Sequence, residues 1–184
     1  SGDRLHAEQL VEYLSQRYLA KRFVGAQVNK DTFIQQLQQS DILHFQGHAQ
    51  HKSSDPLSSF LLLSDGELSA RDIFTLSGVS AELVTLGACE SAANVIKTGD
   101  EPLGLIPAFL FAGVNSVLAS LWKASSPAAA LFMKAFYDEI NRPEKPNKAV
   151  ALRKAMLEVR SHLRYDAPYY WAPFVLNGDW HSLH

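Results

Sequence analysis

Short segments rich in β-branched and large apolar residues alternate with amphipathic segments of helical periodicity along most of the chain. This alternation constrains the fold more than any other feature, because strands that are joined by helices pair in parallel. Predicted strands cover residues 22–28, 41–45, 60–63, 82–86, 116–121 and 174–176, and predicted helices cover 6–19, 33–37, 69–76, 103–113, 125–140 and 149–163. The Asp-Gly pair within residues 64–67 predicts a hairpin turn after the strand at 60–63. The sequence therefore predicts an α/β fold, with a mainly parallel central sheet and helices on both faces.

The bulk composition is that of one ordinary folded domain. The chain has 184 residues, enough for a real core, and its net charge of −2 comes without a dense Lys/Arg cluster. Binding to nucleic acid through phosphate contacts is therefore not expected. The longest apolar stretch, residues 103–121, is interrupted by Pro107, Gly113 and Asn115. It falls short of the about 20 apolar residues that a membrane span needs, so no membrane partner is expected.

The chain contains one cysteine, Cys89, so no disulfide can form within it. This cysteine usage fits a reducing compartment, and we expect a cytoplasmic protein. A lone cysteine is most often a small buried apolar residue. Its neighbours decide whether it has a chemical role.

Two predicted strands end in loops that carry reactive side chains. His48 follows the strand at 41–45, and Cys89 follows the strand at 82–86. Open parallel sheets bind ligands beyond the carboxyl ends of their strands. If these two strands are neighbours, the imidazole and the thiol meet at the same edge of the sheet.

An imidazole beside a thiol can carry out nucleophilic catalysis. A free thiol has a pKa of about 8.5, so little thiolate exists at neutral pH unless a base takes the proton. The same imidazole can later protonate a leaving amine. The small residues around Cys89 leave room for a substrate carbonyl, and the backbone N–H groups of Cys89 and Ala49 could bind its oxyanion. The pattern therefore predicts a His48/Cys89 dyad.

Other interpretations of these residues stay open. Cys89 could be an inert residue at a strand end, with His48 as an ordinary loop histidine. His44, His48 and His51 are close in sequence and could bind a metal together with Cys89, although the spacing matches no tetrahedral zinc signature well. His44 lies inside a predicted strand and fits a core or supporting role better. No glycine-rich phosphate loop or dinucleotide fingerprint is present, so no cofactor is expected.

The strings ILHFQGH at 42–48 and LGACESA at 86–92 resemble the two catalytic motifs of CHAT domains. CHAT domains are caspase-like cysteine peptidases of the clan that includes caspases, separase, legumain and gingipains. Further segments agree in order along nearly the whole chain: residues 61–72, 99–105, 113–122 and 168–175.

The resemblance implies a caspase-like fold, a catalytic His48/Cys89 pair, no cofactor and no metal. It implies a cysteine endopeptidase that cuts a protein or peptide substrate, with a non-catalytic interaction or scaffold module as the alternative. CHAT domains usually follow repeat or sensor domains. We therefore expect residues 1–184 to form one CHAT domain of a longer, regulated protein, with the family's first strand lying before Ser1.

The sequence departs from the family pattern at three places. The family typically has Gly after the catalytic His, where this chain has Ala49, which cannot adopt positive φ cheaply. The segment after Trp122 usually carries carboxylates, but here residues 123–126 are KASS. Asp100 and Glu101 are then the acidic candidates for substrate binding, with Trp122 as a further candidate contact. His51 adds another imidazole, which we expect to be a surface residue.

Overall fold

The computed structural model describes residues 2–87 and 104–183, which form two compact units. The first unit contains described residues 2–22, 124–176 and 180–183, and the second contains 23–87, 104–123 and 177–179. The helices are α1 (Gly2–Tyr18), α2 (Lys30–Gln39), α3 (Ala70–Phe74), α4 (Leu105–Ala112), α5 (Ser126–Ile140), α6 (Lys148–Ser161) and α7 (Pro168–Trp171). The strands are β1 (Ile42–Phe45), β2 (His48–Gln50), β3 (Phe60–Leu63), β4 (Gly66–Ser69), β5 (Leu83–Leu86), β6 (Ser116–Ser120) and β7 (Phe174–Gly178). Two short 3₁₀ helices lie at Gly25–Gln27 and Pro56–Ser58.

A mainly parallel sheet forms the centre of the second unit. Its strand order is β1-β5-β6-β7, and of β7 only residues 177–178 belong to this unit. β1 and β5 pair in parallel with Phe45 opposite Leu86, and β5 and β6 pair in parallel with Thr85 opposite Leu118. β5 and β6 are buried along their whole length, as inner parallel strands are. The predicted fold class, an α/β fold with a mainly parallel central sheet and surrounding helices, is confirmed.

A smaller antiparallel sheet, in the order β2-β3-β4, belongs to the same unit. The predicted hairpin at its centre is confirmed, with Leu63 opposite Gly66 and a two-residue loop between them. Gly66 has φ +128°, which only glycine adopts without strain. Asp65 in the loop accepts the backbone N–H of Lys30, which joins the hairpin to the start of α2.

The core of the second unit lies between the sheets and α2, α3 and α4. Phe33 of α2 meets Phe45 of β1 edge to face, with ring centroids 5.8 Å apart. Ile73 of α3 and Phe109 of α4 are fully buried in the same cluster. Each such side chain contributes about 1.5–3 kcal/mol by leaving water. The packing fixes the strands whose ends carry the candidate site.

Side-chain caps define where the helices begin. Asn29 accepts the backbone N–H of Thr32 at the start of α2. Ser69 and Asp72 form a reciprocal capping box at α3, which confirms the predicted start of that helix. Asn147 accepts the backbone N–H of Val150 at the start of α6. Each cap contributes about 1 kcal/mol.

The first unit is built from α1, α5, α6 and α7. Phe132 of α5 stacks on Phe174 with ring centroids 3.7 Å apart, and both side chains are buried. The buried carboxylate of Glu139 pairs with Lys154 of α6 and with Arg142. These contacts hold α5 and α6 side by side. Within residues 2–87 and 104–183, no helix combines the length and apolarity that crossing a membrane requires.

Two segments differ from the sequence prediction, and the short helix α7 was not predicted. Residues 22–28 do not form a strand, because Gly25 has φ +56° and a 3₁₀ turn interrupts the extended chain. His48 and Ala49, predicted in a loop, begin strand β2 instead, because β3 pairs with them across the hairpin sheet. The short helix α7 starts at Pro168, which occupies a first-turn position suited to proline.

Replacing Gly47 with alanine should destabilise the protein by about 1–3 kcal/mol, the usual range for overpacking. A Cβ at Gly47 would collide with the ring of Phe45, which is buried in the core and cannot move freely. Urea denaturation measures the effect. In a Phe45→Leu background the same substitution should cost less, because the smaller side chain removes the collision; an equal cost in both backgrounds would contradict this explanation.

Candidate active site

The two strands that precede the predicted dyad are direct neighbours. β1 and β5 pair in parallel, and Phe45 at the end of one lies opposite Leu86 at the end of the other. The pairing continues one residue further, where the N–H of Gly87 donates to the carbonyl of Phe45 at 2.8 Å. Both chains therefore leave the sheet at the same edge and at the same level.

His48 and Cys89 each follow the end of their strand by the same number of residues. His48 follows Phe45 by three residues, and Cys89 follows Leu86 by three residues. His48 is the first residue of β2 and is exposed. Cys89, with Glu90, Asp100 and Glu101, lies outside the described residues. The described part of the site is thus the imidazole and the strand ends that lead to the thiol.

Ala49 takes the place where the family typically has glycine, and its backbone does not need glycine. Among residues 2–87 and 104–183, the non-glycine residues with positive φ are Leu19 and Lys145, and Ala49 is not one of them. Its side chain is buried in the core cluster, opposite Leu61 of β3. The methyl group therefore packs without strain, and the expected difficulty with positive φ does not arise.

A polar cluster lies on adjacent strands just below the edge. His44 Nδ1 and Thr85 Oγ1 are 2.6 Å apart, within hydrogen-bonding distance. One step higher, the Gln46 side-chain amide donates to the carbonyl of Gly87 at 2.6 Å. A Cβ at Gly87 would collide with the Gln46 side chain, so glycine is what allows this close approach. The cluster holds the backbone two residues before Cys89.

His44 is neutral at physiological pH. Burial lowers the pKa of its imidazole from the ordinary 6.5 to about 4, and a hydrogen bond with Gln46 acts in the opposite direction. The residue as a whole is half-buried, but its Nε2 atom is fully buried, so the desolvation concerns the titrating ring itself. The supporting role predicted for His44 agrees with this position, whereas a role as a cation does not.

His51 is half-buried rather than the surface residue that the sequence predicted. Its Nδ1 lies 3.2 Å from the hydroxyl of Ser59, and that hydroxyl also accepts the backbone N–H of Lys52. Burial lowers the pKa of His51 from its ordinary value. Sequence reasoning missed this position because it depends on the β2–β3 pairing, which places residues 50 and 60 opposite each other.

Trp122 follows the neighbouring strand at the same edge. β6 ends at Ser120, and Trp122, two residues later, is half-buried.

Sequence reasoning did not place Leu62 beside His48. Leu62 lies directly opposite His48 on β3 and is exposed. The strand was recognised, but its register with β2 was not. In the described residues, no three His, Cys, Asp or Glu side chains are grouped closely enough to hold a metal ion.

A sequence model of the CHAT domain matches residues 3–179 of the chain. Tetratricopeptide repeat protein 28 of Homo sapiens is 28% identical over 216 aligned residues, which cover 97% of this chain and 8% of that protein. The protein of the same name from Mus musculus is 35% identical over 112 residues, which cover 61% of this chain and 4% of that protein. The chain therefore spans less than a tenth of the length of these relatives, whose names describe repeats and no activity.

Two solved structures share the fold. Separase in the Saccharomyces cerevisiae separase–securin complex superposes with a TM-score of 0.69 at 19% identity, covering 97% of this chain and 11% of that one. Gingipain R, an Arg-specific cysteine proteinase, superposes with a TM-score of 0.68 at 11% identity, covering 97% of this chain and 42% of that one. Identities this low concern the fold alone. The architecture is one that a cysteine proteinase also uses.

Proposed function

The chain belongs to the CHAT domain family, and on this premise we propose that it is a cysteine endopeptidase with Cys89 as nucleophile and His48 as base. The proposal depends on one observation, the parallel register that places Phe45 opposite Leu86. Neighbouring strands are about 4.8 Å apart and rise about 3.3 Å per residue. Two chains that leave the sheet side by side can bring the residues three positions further on within reach of each other, which supports the proposed pairing of His48 with Cys89.

The reaction requires only proton transfers and acyl transfer between named groups. His48 takes the proton of the Cys89 thiol, and the thiolate attacks the scissile carbonyl to form a tetrahedral oxyanion. The backbone N–H groups of Cys89 and Ala49 bind that oxyanion. His48 then protonates the leaving amine, which gives an acyl-enzyme and the first product. Water, deprotonated by His48, attacks the thioester and releases the second product and the free thiol.

The substrate is a protein or peptide that binds along the same edge. Trp122 is four residues beyond Leu118, and Cys89 is four residues beyond Thr85, the residue opposite Leu118. This spacing supports Trp122 as a wall of the substrate site. Asp100 and Glu101 stay proposed substrate contacts on sequence grounds alone.

Residues 1–184 act, on this proposal, as one CHAT domain of a longer protein. The relatives that share its sequence are named for tetratricopeptide repeats and are far longer. An attached or partner repeat domain would then sense a signal and control access to the site. The single cysteine is compatible with a reducing cytoplasm, where a catalytic thiol stays free.

A non-catalytic interaction module is the second candidate. Two features favour it: no carboxylate follows Trp122 in residues 123–126, and the names of the sequence relatives mention no activity. A protein of this kind would have the same fold and would bind a peptide without cleaving it. Labelling of the thiol distinguishes the two candidates.

Electrophilic peptides should label Cys89 in the activated full-length protein. A panel of chloromethyl ketones and vinyl sulfones with different residues at the cleavage position should add one probe mass, mapped to Cys89 by peptide mass spectrometry. His48→Ala should slow the labelling, and Cys89→Ser should remove it. If no probe of the panel reacts faster with the protein than with free cysteine, the proposal fails and the interaction module is favoured. A peptide-library digest of the same sample gives the cleavage preference.

A further inference from the structure

The exposed face of the small sheet carries one row of three residues that begins at His48. His48 of β2 lies opposite Leu62 of β3, and Leu62 lies opposite Glu67 of β4. Directly opposite residues on antiparallel strands have Cβ atoms about 4.5–5.5 Å apart. The imidazole, the isobutyl group and the carboxylate are therefore neighbours in a line that leads away from the proposed reaction centre.

Leu62 stands out along its own strand. The flanking Leu61 and Leu63 are buried in the core, whereas Leu62 is 47% exposed on the opposite face. Alternating strands usually place polar residues on their solvent face. An isolated exposed leucine is ordinary on a protein surface, but this one lies next to the imidazole that the proposed reaction uses.

The direction of the reaction indicates which part of a substrate meets this row. His48 donates its proton to the nitrogen of the leaving amine, so the leaving peptide passes on the His48 side of the scissile bond. The chain that follows the cut bond then runs toward Leu62 and, beyond it, toward Glu67. Leu62 would bury an apolar side chain, and the exposed carboxylate of Glu67 would attract a basic one.

We propose that Leu62 and Glu67 form a subsite for the leaving side of the substrate, selecting an apolar residue next to the cut and a basic residue after it. This inference rests on the proposed endopeptidase activity and adds a specificity to it. Both residues of the subsite lie within the described ranges, because Leu62 and Glu67 belong to the β2-β3-β4 sheet.

Two substrates with the same acyl part separate this subsite from the catalytic step. One is a quenched peptide that continues after the cut with Leu-Lys, and the other ends there in aminomethylcoumarin. The measured quantity is the ratio of their kcat/KM values in the activated full-length protein. Leu62→Ser should lower this ratio about tenfold, since partial burial of a leucine is worth about 1.4 kcal/mol. Glu67→Lys should reverse the preference between Leu-Lys and Leu-Glu peptides.

Leu157→Ser is the matched control, because it is the same substitution at another exposed leucine. Leu157 lies in α6 and is 43% exposed. Its ratio should equal that of the wild type. If Leu62→Ser also keeps the wild-type ratio, or Glu67→Lys keeps the wild-type preference, the subsite is overturned while the endopeptidase proposal stands. If the wild type cleaves neither substrate, the endopeptidase proposal itself fails, and the subsite with it.

Discussion

Replacing His48 with alanine should lower kcat/KM for peptide cleavage by about 10³- to 10⁴-fold, the upper part of the range for loss of a general acid–base group. The imidazole has two tasks in the proposed reaction, since it removes the thiol proton and later protonates the leaving amine. His48 is exposed at the start of β2, so its removal leaves no cavity in the core. The free energy of unfolding, measured in urea, should therefore stay near the wild-type value.

The residual activity of the His48→Ala protein has its own pH dependence. Without the imidazole, thiolate forms only by ionisation of the free thiol, with a pKa of about 8.5. Cleavage by the variant should therefore rise steeply from pH 7 to 9, while the wild type does not show this rise. His51→Gln provides the control, because His51 follows His48 by three residues and its ring contacts the Ser59 hydroxyl. Equal losses in both variants would contradict the assignment of His48 as the base.

The neighbouring strand ends could be predicted from the sequence because they are a local pattern repeated twice. Each strand is a short apolar run, and each is followed at the same distance by a reactive residue. Parallel strands can be joined only by crossovers, which places their carboxyl ends at one edge. The pairing of β1 with β5 confirms that expectation. The position of the thiol beside the imidazole stays a prediction.

The small sheet could not be predicted in full, because its pairing is not local. β3 and β4 form a hairpin with a clear turn, and that part was predicted correctly. β2 is three residues long and has no sequence signal of its own, since only pairing with β3 makes it a strand. The exposed Leu62 beside His48 depends on that register. A shift by one residue would place Leu62 on the buried face.

The polar cluster of His44, Thr85 and Gln46 could likewise be predicted only in part from the sequence. His44 was expected to have a core or supporting role because it lies inside a predicted strand. Its contact with Thr85 depends on the β1–β5 register, which places the two residues directly opposite each other. Residues 22–28 show the converse case, in which β-prone side chains were overridden by a glycine in a left-handed conformation.

Protein stability should fall as the pH decreases from 6.5 to about 4, and His44 should account for much of this fall. Burial lowers the pKa of folded His44 to about 4, whereas the unfolded chain titrates near 6.5. Between these values the unfolded state binds more protons, so acid favours unfolding. At about 1.36 kcal/mol per pKa unit, the loss from this group is about 2 kcal/mol at pH 5 and approaches about 3 kcal/mol at pH 4.

His44→Asn isolates this contribution, because the asparagine amide can still hydrogen-bond Thr85 and does not titrate. Urea denaturation at pH 7 and pH 5 should show a smaller decrease in stability for the variant than for the wild type, by about 2 kcal/mol. His162→Asn, at an exposed histidine after α6, should keep the wild-type decrease. The other titrating groups are the same in the wild type and in His44→Asn, so their effects cancel in that comparison.

An equal decrease in the wild type and in His44→Asn would mean that the imidazole ionises freely in the folded protein. His44 would then be a second cation under the edge of the sheet, able to lower the pKa of a nearby thiol without His48. A smaller decrease in the variant keeps His44 neutral at physiological pH. With so low a pKa, His44 is too weak a base to take the thiol proton, and the role of base stays with His48 in the proposed reaction, three residues beyond its strand end as Cys89 is beyond its own.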